Sequence, residues 1–347
     1  MIAILPISVE LTFILINHTI IIMIRVFHHS ITACDSGKDI RTFLRSQGYS
    51  RHILASIKPI QDAVLVNGRH ELLRYILQEG DVLTIQICDE ESSRNVIPAP
   101  VPFSIIYEDE DLLVIDKPAD VAIHPAVGHP ANTLANGLAW HYKQLGIPFV
   151  FRCINRLDRD TTGLLIVAKN LVSSSILETA LQKHEIHRTY LSAVEGTLSE
   201  NGTIDLPIGR KENSLIERCI DYENGDRAVT HYRILSTADI ASHDRSAPPL
   251  SFAILEIRLE TGRTHQIRVH MAAIGHPLLG DSLYNPRWIS QFEKGIPKPD
   301  ALLPCHLARQ ALHSWKLDFT HPITKEPLHF EAPVPADMSA FIGSLHL

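Results

Sequence analysis

Short apolar strands that do not alternate with helices are the feature of this sequence that most restricts its fold. From residue 102 onward, the segments that read as strands are FSIIYEDEDLLVIDKP, TGLLIVAKN, TYLSAVEG, DLPIG, AVTHYRIL and SFAILEIRLETG. Helical spacing of apolar residues favours helices at residues 132–144 and 171–184. Because strands outnumber helices without a strand–helix–strand repeat, the sequence predicts an α+β domain with a mixed, largely antiparallel β-sheet and flanking helices.

A smaller unit precedes this domain. Residues 37–58 have apolar side chains at helical intervals and are locally basic, since Asp39 is the one acidic residue among five lysines and arginines. AVLVNGRH and EGDVLTIQI then predict strands, the first ending in an Asn-Gly turn. We therefore expect a small αβ domain at residues 36–91, a proline-rich linker at 92–103, the large domain at 104–336 and a C-terminal tail at 337–347.

The first 27 residues, MIAILPISVELTFILINHTIIIMIRVF, are strongly apolar but are interrupted by Glu10, Asn17 and His18. They lack the basic start and small-residue cleavage site of a signal peptide. The polar and β-branched residues also weaken a transmembrane interpretation. We expect residues 1–35 to be an apolar extension, with the working chain beginning near Met23.

Composition excludes several classes of function. A net charge of −7 gives no overall attraction to nucleic acid, so an RNA-binding role would need local basic clusters. Five widely separated cysteines without a C-x-x-C pair favour a reducing compartment over a disulfide framework or a zinc site. The phosphate-loop, dinucleotide-binding and serine-hydrolase motifs are absent, so those chemistries are unsupported.

The stretch INRLDRDTTGLLIVAKN, residues 154–170, reads as a charged turn that leads into a buried strand. Asp158 lies between Arg156 and Arg159, and nearby cations favour the charged form of a carboxylate. Such a carboxylate suits a nucleophile or a base, although a salt-bridged turn is the alternative. An aspartic protease is disfavoured, because an extra threonine separates Asp160 from the glycine and no second copy exists.

A second polar cluster lies in ETGRTHQIRVHMAAIGHPLLGDSLY, residues 260–284. Read as a strand, it alternates Ile267 and Val269 on one face with Gln266, Arg268 and His270 on the other. So many planar donors point to phosphate and base contacts, although an exposed strand face is the alternative. A strand would also turn His265 and His270 to opposite faces, so we predict no metal site there.

Four segments together resemble the RluA-type pseudouridine synthases: DKPADVAIHP, NRLDRDTTGLLIVAKN, GRTHQIRVHMAAIGHPLLGDSLY and RQALHSWKLDFTHPITKEPLHF. The resemblance spans about residues 104–336, and residues 36–91 resemble the S-four-type RNA-binding module common in that family. It implies an isomerase that breaks the uridine C1′–N1 bond, rotates the uracil and rejoins it through C5, with no cofactor or metal. The implied substrate is RNA, with large-subunit ribosomal RNA favoured and transfer RNA open. We expect a cytoplasmic monomer without membrane contact.

The resemblance also implies roles for individual residues. It implies that Asp158 is the catalytic carboxylate, that Arg268 pairs with it, and that Tyr190 stacks on the flipped base and helps to move the C5 proton. The residues expected to contact RNA are Arg156, Arg263, His265 and Gln266. Tyr190 as a core strand residue and Arg156 as a structural salt-bridge residue are the alternatives.

The sequence departs from the family pattern at three positions. Asn155 stands where a histidine is usual, and Asp120 and Asn285 stand where glycine is common. Asparagine tolerates the same left-handed turn as glycine, so Asn285 is compatible with such a turn. Two other classes of function remain open: a non-catalytic RNA-binding ribosome-assembly factor, and a hydrolase that uses Asp158 and Asp160 as an acid–base pair. The hydrolase needs one protonated carboxyl in an apolar environment, and the charged neighbours disfavour that.

Overall fold

Two large sheets organise the chain in a computed structural model that describes residues 11–16, 20–89, 93, 96–126, 131–240, 250–293 and 307–344. The first sheet belongs to a small N-terminal domain, in strand order β1-β2-β5-β3-β4. Its elements are β1 (Leu11–Ile16), β2 (Ile20–Ser30), α1 (Ile40–Ser46), α2 (Arg51–Ile57), β3 (Val64–Val66), β4 (Arg69–His70) and β5 (Val82–Asp89).

The helix pair of the small domain forms for local reasons. The side chains of Asp39 and Ser50 cap α1 and α2 by accepting hydrogen bonds from the first-turn backbone. The large apolar residues of both helices are buried, as their spacing predicts. Asn67 and Gly68 both have positive φ, which matches the tight turn predicted between β3 and β4.

The predicted boundary at residue 35 lies too late in the chain. Strand β2 pairs with β5 along Met23 to Ser30, and Phe27 and Ile31 are buried in the core of the small domain. The boundary was misplaced because an apolar run reads as an extension when its strand partner lies about sixty residues downstream. Residues 1–10 lie outside the described part of the chain, and the start near Met23 stays a prediction.

The second sheet forms the large domain, with the main path β11-β14-β15-β10-β16-β9-β7-β6, while β17 pairs with β16 and β8 with β9. Its described strand pairs are antiparallel except β9 with β16. Its strands are β6 (Ser104–Glu108), β7 (Leu112–Lys117), β8 (Arg152–Cys153), β9 (Thr162–Ala168), β10 (His187–Glu195), β11 (Gly202–Asp205), β14 (Val229–Ile240), β15 (Leu250–Leu259), β16 (Leu312–Thr320) and β17 (Pro327–Glu331). A separate hairpin joins β12 (Ile208–Arg210) and β13 (Arg218–Ile220). The predicted α+β class with a mixed, largely antiparallel sheet is confirmed.

Five helices flank this sheet in the described residues: α3 (Leu134–Gln144), α4 (Leu171–Gln182), α5 (Gln266–Ala273), α6 (Pro286–Glu293) and α7 (Ala336–Ser344). The helices predicted at 132–144 and 171–184 are α3 and α4. The predicted C-terminal tail is largely α7, whose Met338 and Phe341 are buried against β10 and β15. No described helix has the length and apolarity needed to cross a membrane. The loop predicted at 243–250 lies almost entirely outside the described residues.

A buried ion pair joins the two domains. Arg25 of β2 donates from Nε and NH2 to both carboxylate oxygens of Asp111, at 3.1 and 2.7 Å. Asn170, the N-cap of α4, also donates to Asp111 at 2.9 Å. Asp109, Asp111 and His321 lie close enough together to hold a metal ion, but Arg25 engages both oxygens of Asp111. The cluster therefore serves as a hydrogen-bonded contact between the domains.

Arg25→Ala should loosen the small domain. Removing one partner of a buried ion pair leaves the other uncompensated, at a cost of about 3–5 kcal/mol. We expect the opening free energy of β2 to fall by about that amount, measured by amide hydrogen exchange. Arg41→Ala, at an exposed position of α1, is the control and should change it by less than about 0.5 kcal/mol. Equal exchange in both variants would contradict a stabilising role for the pair.

Candidate active site

The loop at residues 154–161 carries Asp158, and two buried basic side chains hold it through hydrogen bonds to its backbone. Lys117 is fully buried, and its Nζ donates hydrogen bonds of 2.7–2.8 Å to the carbonyl oxygens of Pro118, Val121 and Arg159. Arg309 donates to the carbonyl oxygen of Asp160 at 3.2 Å. Three acceptors around one amine suit the ammonium form, although burial lowers the pKa of Lys117 to about 7. The loop is thus fixed by its backbone, which leaves the Asp158 side chain to face the cleft.

Close approach of two strands fixes the end of this loop. Gly163 has a φ of 106°, and a Cβ there would lie 2.2 Å from the carbonyl oxygen of Ser314. Glycine is therefore required where β9 meets β16 in the parallel pair. Thr162 and His313 add a side-chain hydrogen bond of 2.9 Å across the same pair. The glycine of DTTG serves this strand contact, which agrees with rejecting a protease turn.

The second polar cluster is a helix, so its prediction as a strand was wrong. Residues 266–273 form α5, preceded by His265 in the left-handed conformation at φ 59°. The first six residues of the helix are all buried, so burial does not mark out one apolar face. Alternation of Ile267, Val269 and Met271 therefore imitated a strand. In the helix, residues three apart share a face, and this brings His265 and Arg268 to Asp158 together.

Arg268 binds two carboxylates. Its Nε and NH2 donate to both oxygens of Asp281 at 2.7 and 2.8 Å, and its NH1 donates to Asp158 Oδ2 at 3.2 Å. Asp281 is fully buried and also accepts the backbone N–H groups of Leu283 and Tyr284. Burial opposes the charge of Arg268, but the hydrogen bonds and charges of Asp281 and Asp158 outweigh it and raise its pKa. Asp281 therefore orients the guanidinium, and NH1 is left for Asp158.

His265 reaches the same carboxylate with its Nε2, 4.0 Å from Asp158 Oδ1. Its Nδ1 lies 2.7 Å from the hydroxyl of Tyr284, which accepts the backbone N–H of Arg218 at 2.8 Å. Because the Tyr284 oxygen already accepts a hydrogen bond, its hydroxyl hydrogen is donated to Nδ1 of His265. The ring hydrogen of neutral His265 then lies on Nε2, on the side that faces Asp158. Burial lowers the pKa of His265, which favours this neutral form.

Tyr190 lies at a bulge in the sheet and lines the cleft. The register between β10 and β16 shifts between Thr189 and Tyr190, and Trp315 is the extra residue. Because the extra residue lies in β16, β10 keeps its regular alternation through Tyr190. Tyr190 is buried, and burial together with the Asp158 charge raises the pKa of its hydroxyl while Arg188 lowers it. The cleft has a volume of about 630 Å³ and is lined by Asp158, Tyr190 and Arg268 among others.

The residues predicted to contact RNA also line the cleft, but their surroundings differ. Arg156 and Arg263 are both exposed, and Arg263 NH1 lies 3.4 Å from Asp226. Gln266 is buried, and its amide bonds to Val229, Thr230, Thr261 and the backbone of Arg263. Because Gln266 uses its hydrogen-bonding groups inside the protein, its geometry supports a loop-holding role more than RNA contact. His270 is fully buried and hydrogen-bonded to Thr230 and Leu206, so its role is structural.

The structure accounts for each of the three departures from the family pattern. Asn155 is buried, and its Oδ1 accepts the backbone N–H of Ile166 at 2.9 Å, so it ties the loop to β9. Asp120 adopts a φ of 60°, the conformation glycine favours, and its carboxylate pairs with Arg159. Asn285 does not use the left-handed conformation that it would tolerate, since its φ is not positive. Its side chain instead bonds to Glu195, Leu278 and the backbone of Arg287.

Sequence reasoning did not assign roles to several residues that shape the site: Lys117, Arg188, Asp281, Tyr284 and Arg309. Each lies more than twenty residues from Asp158 or works through a backbone group. Four of them fell inside quoted motifs, and this was the available signal: Lys117 in DKPADVAIHP, Asp281 and Tyr284 in GDSLY, and Arg309 in RQALHSWKLDF.

Comparisons with known proteins agree with this geometry. Residues 111–273 match the family described as RNA pseudouridylate synthase. The chain is 38% identical to the uncharacterized RNA pseudouridine synthase YjbO of Bacillus subtilis, over 87% of this chain and 98% of that protein. It is 41% identical to the ribosomal large subunit pseudouridine synthase D of Vibrio cholerae, over 75% of each. The solved structure of human RNA pseudouridylate synthase domain containing 1 matches with a TM-score of 0.50 and 25% identity, over 72% of this chain and 96% of that one. The chain therefore belongs to the RluA-type family of RNA pseudouridine synthases, which are isomerases.

Proposed function

We propose that this enzyme converts uridine to pseudouridine in large-subunit ribosomal RNA, with Asp158 as the catalytic carboxylate. The observation that carries the proposal is the position of Asp158 on a rigid loop, 3.2 Å from the buried Arg268 and in the cleft that Tyr190 also lines. The relative from Vibrio cholerae, named for the large ribosomal subunit, supports the choice of RNA.

Asp158 supplies the anionic oxygen that the isomerisation needs. Its carboxylate either attacks C1′ of the ribose or removes a sugar proton, and the C1′–N1 bond breaks. The freed uracil turns within the cleft, and its C5 forms a bond to C1′. As this bond forms, the bond between Asp158 and C1′ breaks or, in the other route, the sugar regains its proton. C5 then loses its proton and N1 gains one. Tyr190, whose ring lines the cleft, stacks on the base and helps to move the C5 proton. The target nucleotide must leave its stack for this chemistry, because C1′ and C5 are inaccessible within a helix.

His265 and the cleft arginines are proposed to position the RNA. The Nε2–H of His265 points toward Asp158, where it can donate to a ribose or uracil oxygen. Arg156 and Arg263 lie toward solvent at the cleft, where backbone phosphates would pass. Gln266 acts indirectly by holding the backbone of Arg263.

The small domain is proposed to bind RNA as an S-four-type module. Arg41, Arg45, Arg51 and Lys58 of its helix pair are exposed, while the apolar faces of both helices are buried. Such a basic, rigid surface suits sequence-independent contact with phosphates. Cytoplasmic location, monomeric state and independence from a cofactor stay predictions.

The RNA substrate can be identified by mapping pseudouridines in a strain that lacks the gene. We expect a carbodiimide-dependent reverse-transcription stop in large-subunit ribosomal RNA to disappear on deletion. The stop should return with the full chain but not with an Asp158→Asn chain. Loss of a stop from transfer RNA alone would change the assigned substrate. Unchanged stops in both classes of RNA would contradict the proposed activity.

A further inference from the structure

Arg188 differs from the other arginines that line the cleft. Arg227, Arg263 and Arg268 each have a carboxylate within 3.5 Å. Arg156 is exposed, so water can solvate its charge. Arg188 is only 7% exposed, and in the part of the chain that the structure describes no carboxylate forms an ion pair with it. Its Nε has no hydrogen-bond partner there either, and its guanidinium interacts instead with the neutral hydroxyl of Tyr190.

The position of Arg188 directs its guanidinium into the cleft beside Tyr190. Side chains two residues apart in a strand point to the same face, so Arg188 and Tyr190 share one face of β10, and both line the cleft. The guanidinium lies against Gly262, where an added Cβ would be 3.3 Å from its NH1. The absence of a side chain at Gly262 leaves space beside the guanidinium.

A buried cation without a counterion is unfavourable, because burial removes its hydration without replacing it. An anion that enters the cleft would compensate the charge of Arg188. RNA offers one kind of anion, the backbone phosphate, and a planar guanidinium matches its geometry with paired N–H donors. A nucleotide that inserts its ribose toward Asp158 brings its flanking phosphates within the same cleft.

We propose that Arg188 binds a backbone phosphate that flanks the target uridine, and so helps to hold the nucleotide in its extruded position. This inference rests on the proposed function, since it takes the cleft as the place where the target nucleotide lies. Arg188 is therefore a binding residue beside the catalytic carboxylate, and its partner is the phosphate group, independent of base identity.

The test uses the full chain and short RNA hairpins that contain the mapped uridine, already converted to pseudouridine so that no turnover follows. In two of the hairpins, a neutral methylphosphonate replaces either the 5′ or the 3′ phosphate of that nucleotide. Arg188→Gln should weaken binding of the hairpin that keeps all its phosphates by about 10- to 100-fold. It should also reduce the salt dependence of log Kd by about one unit of slope.

Non-additivity identifies the phosphate. For one methylphosphonate hairpin, wild-type affinity should already be reduced, and Arg188→Gln should reduce it little further. The proposal would be overturned if, for both methylphosphonate hairpins, the loss of affinity caused by Arg188→Gln multiplied the loss caused by the methylphosphonate. Arg258→Gln is the matched control, because Arg258 lies in the neighbouring strand, is exposed and pairs with Glu256 outside the cleft. It should leave the methylphosphonate effect unchanged.

A second cycle separates phosphate binding from an effect through Tyr190. If Arg188 binds phosphate, Arg188→Gln should weaken RNA binding by the same factor in a Tyr190→Phe chain as in the wild type. Disappearance of the effect in Tyr190→Phe would overturn the proposal, because Arg188 would then act on the tyrosine hydroxyl. If pseudouridine mapping finds no target, the proposed function fails first. A mapped target without a phosphate-dependent effect of Arg188 contradicts only this inference.

Discussion

Replacing Asp158 with asparagine is expected to abolish isomerisation, lowering single-turnover conversion of the RNA by about 10⁴-fold or more. Asparagine keeps the shape of the side chain and an oxygen that Arg268 NH1 can bind, as Asp158 does at 3.2 Å. It lacks the negative charge that, in the proposed mechanism, attacks the sugar or takes its proton. Conversion can be measured by carbodiimide-blocked reverse transcription at the mapped uridine.

RNA affinity should stay nearly unchanged in this variant, because the loop is held through its backbone by Lys117 and Arg309. Asp160→Asn is the matched control. Asp160 lies in the same turn, and its described hydrogen bond is made by its carbonyl oxygen, so turnover should persist. Normal turnover in Asp158→Asn would refute the catalytic assignment. Loss of turnover in both variants would favour a mechanism in which Asp158 and Asp160 act together as an acid–base pair.

Arg268→Ala is expected to lower both activity and stability. The substitution leaves Asp158 without its cationic partner and strands the fully buried carboxylate of Asp281. We expect turnover to fall by about 10³-fold, within the range found for removing a preorganised electrostatic partner. The free energy of unfolding should fall by about 3–5 kcal/mol. Single-turnover assays well below the unfolding temperature and denaturant titrations measure the two effects.

A double variant separates these two effects. Adding Asp281→Asn to Arg268→Ala removes the stranded buried charge, while the side-chain oxygen still accepts the N–H groups of Leu283 and Tyr284. Stability should recover in part, whereas turnover should not. Recovery of turnover together with stability would mean that Arg268 serves the fold alone. Arg268→Lys keeps a charge but cannot span both carboxylates in the same plane, so we expect intermediate activity.

Prediction succeeded where the local sequence and the tertiary environment favour the same structure. The capped helices α1 and α2, the Asn-Gly turn and the buried strand β9 follow from spacing and turn chemistry that need no distant partner. Prediction failed at α5, where nearly complete burial hides the helical period. It also failed at β2 and α7, where partners far along the chain decide that an end segment packs into a core.

The sequence by itself determined the family, the sheet-rich α+β class, and Asp158 as the residue to test, because these depend on local patterns and on motifs quoted from single stretches. Tertiary structure alone decided which groups surround that carboxylate. Asp281 orients Arg268, Tyr284 fixes the hydrogen of His265, and Lys117 holds the loop through carbonyl oxygens that every sequence has. The unpaired charge of Arg188 likewise became visible only in three dimensions, since the lack of a counterion is a property of the space around a residue.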